Sequence, residues 1–180
     1  MTTIFTIGHG NRALGEFIAL LRQAHIERLV DVRAFPASRR NPQFARDALE
    51  RALADAGVRY LWEGRSLGGR RRPAASSPHT ALRNASFRAY ADHMMREEFQ
   101  AALNRLIVLG SENRTALMCA ERLPWQCHRY LISDSLAARD IPVVHIVAED
   151  RTMDHSQSKL ARKDGAVLIY DAGAQHDLGL

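Results

Sequence analysis

The stretch that decides the fold is residues 4–32, which read IFTIGHGNRALGEFIALLRQAHIERLVDV. It opens with the short apolar run Ile4 to Ile7 and closes with a second run, Leu29 to Val32. Between the runs, apolar side chains recur at the spacing of one helix face: Leu14, Phe17, Ile18 and Leu21. This order predicts a strand, a helix with Asn11 as its N-cap, and a second strand buried in a parallel sheet.

The same alternation of apolar runs and helical stretches continues along the chain. Further apolar runs are Val58 to Leu61, Thr115 to Cys119 and Val143 to Val147. Such runs, separated by helical stretches, are typical of a sheet with helices packed on its faces. We expect an α/β fold: a single three-layer domain over residues 1–180, with a mostly parallel, Rossmann-like sheet of five strands and helices on both faces.

Residues typical of helix ends predict where the other helices begin and stop. One begins at Asn41-Pro42 and ends at Gly57, because proline suits the first turn and glycine the end of a helix. Residues 86–110 predict two helices with a break near Arg96, and another helix follows Cys127.

Two segments lack helical periodicity. Residues 62–84 carry clusters of Gly, Pro and Arg, and we expect a long basic loop there that is either a functional lid or disordered. Residues 149–180 form a C-terminal extension, in which Ser158 to Asp171 predicts a hairpin.

Composition excludes several protein classes. The chain has 180 residues, of which 46% are hydrophobic and 25% charged, as in a globular protein. No apolar stretch reaches the roughly 18 residues that span a bilayer, and the N-terminal residues lack the basic flank and apolar centre of a secretory signal. Two cysteines are too few for a disulfide scaffold, so we expect a cytoplasmic protein with two thiols and no membrane partner.

Arginine is concentrated in one third of the chain. The net charge is +5, and residues 28–88 contain 13 arginines against five acidic residues. Arginine grips phosphate or carboxylate with a planar fork, so this zone favours an anionic partner such as nucleic acid, a nucleotide or a phosphorylated metabolite. A solvated arginine-rich surface that binds nothing is the alternative.

Polar residues follow several of the predicted strands. Ligands of open α/β sheets bind beyond the carboxyl ends of the strands, where the segments after each strand meet. If the strands are parallel, one edge collects these side chains: His9, Arg33, Cys119, Glu121, Cys127, His128 and Arg129. Asp31 and Arg33 point to the same side of their strand, where they can form a structural ion pair or act in catalysis.

The most informative pattern is Cys119 at the end of a strand with Cys127-His128-Arg129 at the start of the next helix. A thiol at a helix N-terminus beside His or Arg is shifted toward the reactive thiolate, and the free N–H groups of the first turn bind anions. Either a cysteine attacks the substrate, or the turn holds a phosphate with help from Arg129. The thiols can also be core groups, a redox pair, or zinc ligands together with His128 and His9.

Three familiar chemistries do not match the spacing. A cysteine phosphatase loop is not supported, because the next arginine comes too soon: Arg122 after Cys119 and Arg129 after Cys127. A P-loop and the glycine fingerprint of dinucleotide-binding proteins are absent.

Several stretches together resemble a family known as domain of unknown function 488 (DUF488). The stretches are Thr6 to Arg12, Asp31 to Pro36, Ser38 to Phe44, Leu67 to Arg70, Arg83 to Ala91, and Leu117 to Glu121 through Pro124 to Arg129. The resemblance runs from the first strand to about Val147. The chain departs from the family pattern at Gly10, where a serine commonly follows the histidine.

The resemblance implies one shared site, but no particular reaction, because the family has no settled biochemical function. The residues it assigns to that site are His9, Arg33, Arg39, Arg40, Asn41, Arg83, Asn84, Cys119, Glu121, Cys127, His128 and Arg129. Loose descriptions of such proteins as connected with DNA repair are consistent with a nucleic-acid partner.

We therefore expect an enzyme, or an enzyme-like pocket, that acts on a phosphate-bearing substrate such as a nucleotide or nucleic acid and uses a cysteine as nucleophile or thiolate. The candidate catalytic residues are Cys119 or Cys127 as nucleophile and His9, Glu121 or His128 as proton carriers. The candidate anion-binding residues are Arg33, Arg39, Arg40, Asn41, Arg83, Asn84 and Arg129. The alternatives are a nucleic-acid-binding module without chemistry that uses residues 28–88, and a Cys/His metal protein. No cofactor is predicted, with zinc as the alternative ion.

Overall fold

Strands and helices alternate along the chain in a computed structural model that describes residues 2–37 and 39–172. The strands are β1 (Ile4–Gly8), β2 (Arg28–Asp31), β3 (Arg59–Trp62), β4 (Thr115–Cys119), β5 (Val143–Ala148), β6 (Arg151–Asp154), β7 (Ala161–Asp164) and β8 (Val167–Tyr170). The helices are α1 (Leu14–Gln23), α2 (Arg46–Asp55), α3 (Gly64–Leu67), α4 (Ala85–Met94), α5 (Glu97–Glu112) and α6 (Arg129–Ala137). All five predicted strands are present, and the fold is mixed α/β.

The main sheet has the strand order β3-β2-β4-β1-β5-β6. Strands β1 to β5 are parallel, with Gly8 opposite Cys119 and Asp31 opposite Met118. The prediction of five strands was wrong by one, because β6 pairs antiparallel with β5 at the edge of the sheet. All four residues of β6 are exposed, so this strand has no apolar run that would reveal it in the sequence.

Helices cover both faces of the sheet, as predicted, because each strand directs alternate side chains to opposite faces. On one face, α1 and α2 bury side chains such as Phe17 and Leu53 against Ile7 and Met118 of the sheet. On the other face, α4, α5 and α6 pack with Leu117 and Val30 in a second cluster. The two clusters make three layers of secondary structure.

The connections that follow the adjacent strands β1 and β4 leave the sheet in opposite directions. From β1 the chain passes through α1 to β2, and from β4 it passes through α6 to β5 on the other side of β1. The two helices lie on opposite faces. Adjacent strands whose connections leave in opposite directions open a cleft at their carboxyl ends, where ligands of such sheets bind.

Several helix boundaries differ from their predicted positions. Asn11 is not the N-cap of α1: the helix begins after Ala13, which is extended and makes no side-chain cap. The stretch from Pro42 first forms a short 3₁₀ turn, and α2 starts only at Arg46. Gly57, at φ +76°, follows the end of α2 as expected. The predicted break between α4 and α5 is confirmed.

The predicted basic loop, residues 62–84, contains the one-turn helix α3. Its C-terminal part is hydrogen-bonded to the C-terminal hairpin. The amide of Ala81 donates to the carbonyl oxygen of Tyr170 at 2.9 Å, and the Tyr170 amide donates to His79 Nδ1 at 3.2 Å. His79 is fully buried. The predicted C-terminal hairpin is confirmed as the two-stranded sheet of β7 and β8.

A buried chain of hydrogen bonds joins the first strand to the C-terminal hairpin. Thr6 Oγ1 lies 2.7 Å from His145 Nδ1, and His145 Nε2 lies 3.1 Å from His155 Nδ1. His155 Nε2 donates to Asp134 Oδ1 at 2.9 Å, and Tyr170 donates to Asp134 Oδ2 at 2.9 Å. Burial, with the neighbouring His155 and a nearby arginine, lowers the pKa of His145 to about 3, so its ring is neutral near pH 7.

Within residues 2–37 and 39–172, no helix combines the length and the hydropathy required to cross a bilayer.

Candidate functional site

A cavity of about 640 Å³ lies at the carboxyl ends of β1, β2 and β4. It brings together predicted site residues from distant parts of the chain. Those that line it are His9, Arg33, Arg40, Asn41, Cys119, Glu121, Cys127 and His128. The shared edge expected from parallel strands therefore exists, and the side chains that follow β1, β2 and β4 face one space.

Hydrogen bonds between the loops after β1 and β4 build the floor of this cavity. The His9 amide donates to the carbonyl oxygen of Cys119 at 3.1 Å, and the Gly10 amide donates to that of Ala120 at 2.8 Å. A Cβ on Gly8 would overlap the carbonyl oxygen of Glu121, so only glycine allows the two loops to lie this close. The close approach fixes His9 beside the end of β4.

The two cysteines meet at one side of His128. His128 Nδ1 lies 3.6 Å from Cys127 Sγ and 3.8 Å from Cys119 Sγ. His128 Nε2 lies 3.1 Å from the carbonyl oxygen of Val32, which can only accept, so this nitrogen carries the proton. The lone pair of the neutral ring is then on Nδ1, the nitrogen that faces both sulfur atoms.

The pKa values of the two thiols are shifted in opposite directions by their surroundings. A hydrogen bond from Cys127, aided by the charge of Arg129, lowers the pKa of Cys119 well below its usual value. Burial raises the pKa of Cys127 well above its usual value, and the thiolate of Cys119 adds to this effect. These opposite pKa directions favour Cys119 over Cys127 as the thiolate of the pair.

The ion pair between Asp31 and Arg33 is present and buried. Arg33 Nε lies 2.9 Å from Asp31 Oδ1, and Nη2 lies 2.6 Å from Oδ2. Asp31 is fully buried and also accepts a hydrogen bond from Tyr60 at 2.7 Å. Because these contacts hold the fork of Arg33, its remaining nitrogen, Nη1, is directed at His9 Nε2, 3.4 Å away.

His9 lines the cavity and presents its accepting nitrogen, Nε2, to Arg33. Its ring stacks on Phe44, with centroids 4.4 Å apart and planes 14° apart. Nδ1 lies 2.8 Å from the carbonyl oxygen of Gly10, so Nδ1 carries the proton and Nε2 carries the lone pair. Burial lowers the pKa of His9, which favours this neutral form.

Four predicted anion-binding residues do not line the cavity. Arg39 and Arg83 are exposed on the surface, and Asn84 caps α4 by accepting from the amides of Ser86 and Phe87. Arg129 is 1% exposed, and its Nη2 donates to the carbonyl oxygen of Arg122 at 2.8 Å.

The expected anion site at the start of the last helix is also corrected. Cys127 precedes the first turn of α6 instead of lying within it. The amide of Arg129 donates to Cys127 Sγ at 3.5 Å, that of Tyr130 to the Cys127 carbonyl, and that of Leu131 to the His128 carbonyl. These amides are already engaged, and they do not offer a free cradle for phosphate.

Several residues that line the cavity are not among the predicted site residues. Examples are Phe35, Gly69, Arg70, Ser86 and Phe87. The guanidinium of Arg70 lies over the ring of Phe35, 5.5 Å from its centroid. A signal for Arg70 existed, because it follows Gly68-Gly69 in a stretch that resembles the family pattern, but no periodicity places that loop in space.

One group of side chains could hold a metal ion in the part of the chain that the structure describes. The ligand atoms of Cys119, Cys127 and His128 lie within 4.8 Å of one another. His9, which the metal alternative included as a fourth ligand, lies outside this group, and its Nε2 faces Arg33.

Comparison with known proteins gives one match. The model of a family described as domain of unknown function DUF488 matches residues 13–136. No curated protein and no solved structure matches the chain. The matched segment includes β2 to β4 and most of α6, whereas His9 precedes it.

Proposed function

Because the chain belongs to the DUF488 family, whose description names no reaction, we propose from the cavity itself that the protein is an enzyme acting on a phosphate-bearing substrate. The substrate class we favour is a nucleotide or nucleic acid. The observation that carries the proposal is the meeting of arginine side chains, a histidine and two thiols around one cavity.

The charge of the lining supports an anionic ligand. Arg33, Arg40 and Arg70 line the cavity, and Glu121 is the one acidic residue among the described lining residues. Arg33 presents Nη1 because Asp31 holds its other nitrogens, and Arg40 is exposed. Guanidinium groups in this arrangement bind phosphate oxygens with charge-assisted hydrogen bonds.

The catalytic roles follow from the positions of the lining groups. In this proposal Cys119 Sγ forms a bond to the electrophilic atom of the substrate, and the bond from that atom to the leaving group breaks. Arg33 and Arg40 bind the phosphate oxygens. The leaving group takes a proton from solvent water. His9 Nε2 then accepts a proton from the water molecule that breaks the bond to Cys119 Sγ and releases the product, and the His9 ring returns this proton to solvent. Glu121 lines the same cavity, where its carboxylate orients this water. Cys127 and His128 position the thiolate.

Alkylation of the thiols tests this proposal. Metal-free protein is treated with iodoacetamide, and mass spectrometry of peptides follows Cys119 and Cys127 separately. We expect Cys119 to react faster than glutathione at the same pH, and inorganic phosphate to slow the reaction more than chloride of equal ionic strength. Equal, slow alkylation of both cysteines that ignores phosphate would contradict the proposal.

Neighbouring arginines provide a matched pair of variants. Arg40→Ala removes an exposed cation that lines the cavity, whereas Arg39→Ala removes an exposed cation that does not. Loss of one charge-assisted hydrogen bond, worth about 1.5–3 kcal/mol, should raise the phosphate concentration needed for protection about tenfold or more in Arg40→Ala. Arg39→Ala should behave like the unchanged protein. Equal effects in the two variants would show that phosphate acts through general charge only.

A binding module without chemistry is the second candidate, favoured by the exposed arginines of residues 28–88. Among them are Arg39, Arg40, Arg65, Arg70, Arg72 and Arg83. Binding of single-stranded DNA should then weaken steeply with salt, because phosphate contacts release counterions. Cys119→Ala separates the candidates: a module keeps its affinity for DNA and has no turnover to lose.

Two broader assignments are also proposals. A Rossmann-like relationship is supported by the position of the cavity at the carboxyl ends of the parallel strands, where the connections of β1 and β4 diverge. A cytoplasmic location is supported by two free cysteines, Cys119 and Cys127, which lie close together without a disulfide.

A further inference from the structure

We infer that Cys119, Cys127 and His128 form a binding site for one thiophilic divalent cation, such as Zn²⁺, with a fourth coordination position open to the cavity. The inference goes beyond the proposed enzyme function and does not depend on it. It concerns the same side of the cavity where the two sulfur atoms meet His128.

The separations of the ligand atoms fit a tetrahedral ion. With Zn–N of about 2.0–2.1 Å and Zn–S of about 2.3 Å, a nitrogen and a sulfur ligand on one zinc lie about 3.6 Å apart. His128 Nδ1 lies 3.6 Å from Cys127 Sγ and 3.8 Å from Cys119 Sγ. All three ligand atoms lie within 4.8 Å of one another, so one ion can reach them with small side-chain movements.

The hydrogen bonds of His128 leave the correct nitrogen available. Histidine ligands donate their second ring N–H to an acceptor, which fixes the tautomer and orients the ring. His128 makes this contact through Nε2 to the carbonyl oxygen of Val32, at 3.1 Å. Nδ1 is then the unprotonated nitrogen, and it is the atom that faces the two sulfurs.

The ligands are held by the fold, which reduces the cost of ordering them on binding. Cys119 ends the central strand β4, and Cys127 and His128 directly precede α6. The ring of His128 packs against Tyr90, with centroids 4.9 Å apart. Gly69 also packs closely against the His128 ring, since a Cβ on Gly69 would lie only 2.5 Å from His128 Nδ1. A preformed set of ligands binds a metal without first having to be ordered.

The fourth position would be open because all three ligands line the cavity. Three protein ligands with one exchangeable position are typical of catalytic and regulatory zinc, whereas structural zinc has four protein ligands. An ion here would occupy both sulfurs and stop them from acting as nucleophiles. Metal-loaded and metal-free protein are therefore two states of the same site, and the cation is expected to block alkylation of Cys119 reversibly.

Cobalt provides the direct test. Metal-free protein is titrated with Co²⁺, which gives thiolate-to-cobalt charge-transfer absorption when sulfur binds and visible bands whose intensity reports tetrahedral geometry. We expect one Co²⁺ per chain, intense visible bands, and displacement by Zn²⁺. Absence of the charge-transfer absorption at saturating Co²⁺ would overturn the inference.

Variants test which residues bind the cation, and a second experiment measures Zn²⁺ protection of the thiols in the unchanged protein. Cys127→Ser and His128→Gln should each weaken Co²⁺ binding at least tenfold, whereas His25→Asn, at an exposed position with φ +53° that asparagine tolerates, should leave it unchanged. Far-ultraviolet circular dichroism confirms that each variant is folded. In the unchanged protein, Zn²⁺ should protect Cys119 and Cys127 from iodoacetamide, and a chelator should restore reactivity. Equal binding by Cys127→Ser, or no protection by Zn²⁺, would overturn the site.

The two proposals can fail separately. Phosphate protection is measured on metal-free protein and tests the enzyme proposal alone. Cobalt binding is measured without phosphate and tests the cation site alone.

Discussion

Replacing Asp31 with asparagine is expected to lower the free energy of unfolding by about 3–5 kcal/mol, because it leaves the buried cation of Arg33 without its counterion. Asp31 is fully buried, and its two oxygens accept three hydrogen bonds from the Arg33 side chain and one from Tyr60. Arg33 is only 5% exposed, so water cannot replace these contacts. Urea unfolding followed by circular dichroism measures the loss.

Two further variants identify the cause of this loss. The double variant Asp31→Asn with Arg33→Met removes both charges and should lose less stability than the sum of the two single variants, since no unpaired charge remains. Arg105→Gln removes the exposed partner of a surface ion pair with Glu63 and should cost no more than about 1 kcal/mol. A loss in Asp31→Asn as small as that in Arg105→Gln would contradict the buried-pair explanation.

Replacing Gly8 with alanine is expected to destabilise the protein by about 3 kcal/mol, at the upper end of the usual range for overpacking. The added methyl group would overlap the carbonyl oxygen and carbonyl carbon of Glu121, which belong to the backbone and cannot rotate away. The loop after β4 must then separate from the loop after β1, and the hydrogen bonds of the His9 and Gly10 amides are lost.

The same variant should also damage the site, because these loops form the floor of the cavity. Alkylation of Cys119 in Gly8→Ala should lose its protection by phosphate. Gly15→Ala is the control, since a Cβ at Gly15 meets nothing within 4 Å. In α1 this change should stabilise the protein by as much as about 1 kcal/mol through helix propensity. Equal stability of the two variants would show that the loops tolerate a side chain at Gly8.

The sequence predicted those parts of the fold that depend on hydrophobic periodicity. Strands β1, β2, β4 and β5 are buried or mostly buried, and β3 is half-buried at the edge of the sheet. Parallel pairing places the carboxyl ends of β1, β2 and β4 together, which is why the sequence predicts that His9, Arg33 and Cys119 share one edge. Alternate residues of a strand share a side, so the sequence also predicts that Asp31 and Arg33 lie together, either as a structural ion pair or as catalytic groups.

Features that depend on tertiary context were not predictable. Strand β6 forms because β5 offers an edge, not because its own exposed residues favour a strand. Arg129 was expected at the anion site because it follows Cys127-His128 at the start of a helix, whose free N–H groups bind anions. The structure instead buries its side chain, with Nη2 donating to the carbonyl oxygen of Arg122. The loop residues Phe35 and Arg70 reach the cavity through a path that no periodicity describes.

The position of β1 in the sheet determines which fragments of this chain can exist alone. β1 lies between β4 and β5, and it precedes the segment 13–136 that the family model covers. A gene fragment trimmed to that segment would lack both β1 and β5, and one whole flank of β4 would become an unpaired edge open to other chains. Expression should therefore begin before Ile4 and continue beyond Tyr170, so that the middle of the sheet and the hairpin that Asp134 holds remain in one polypeptide.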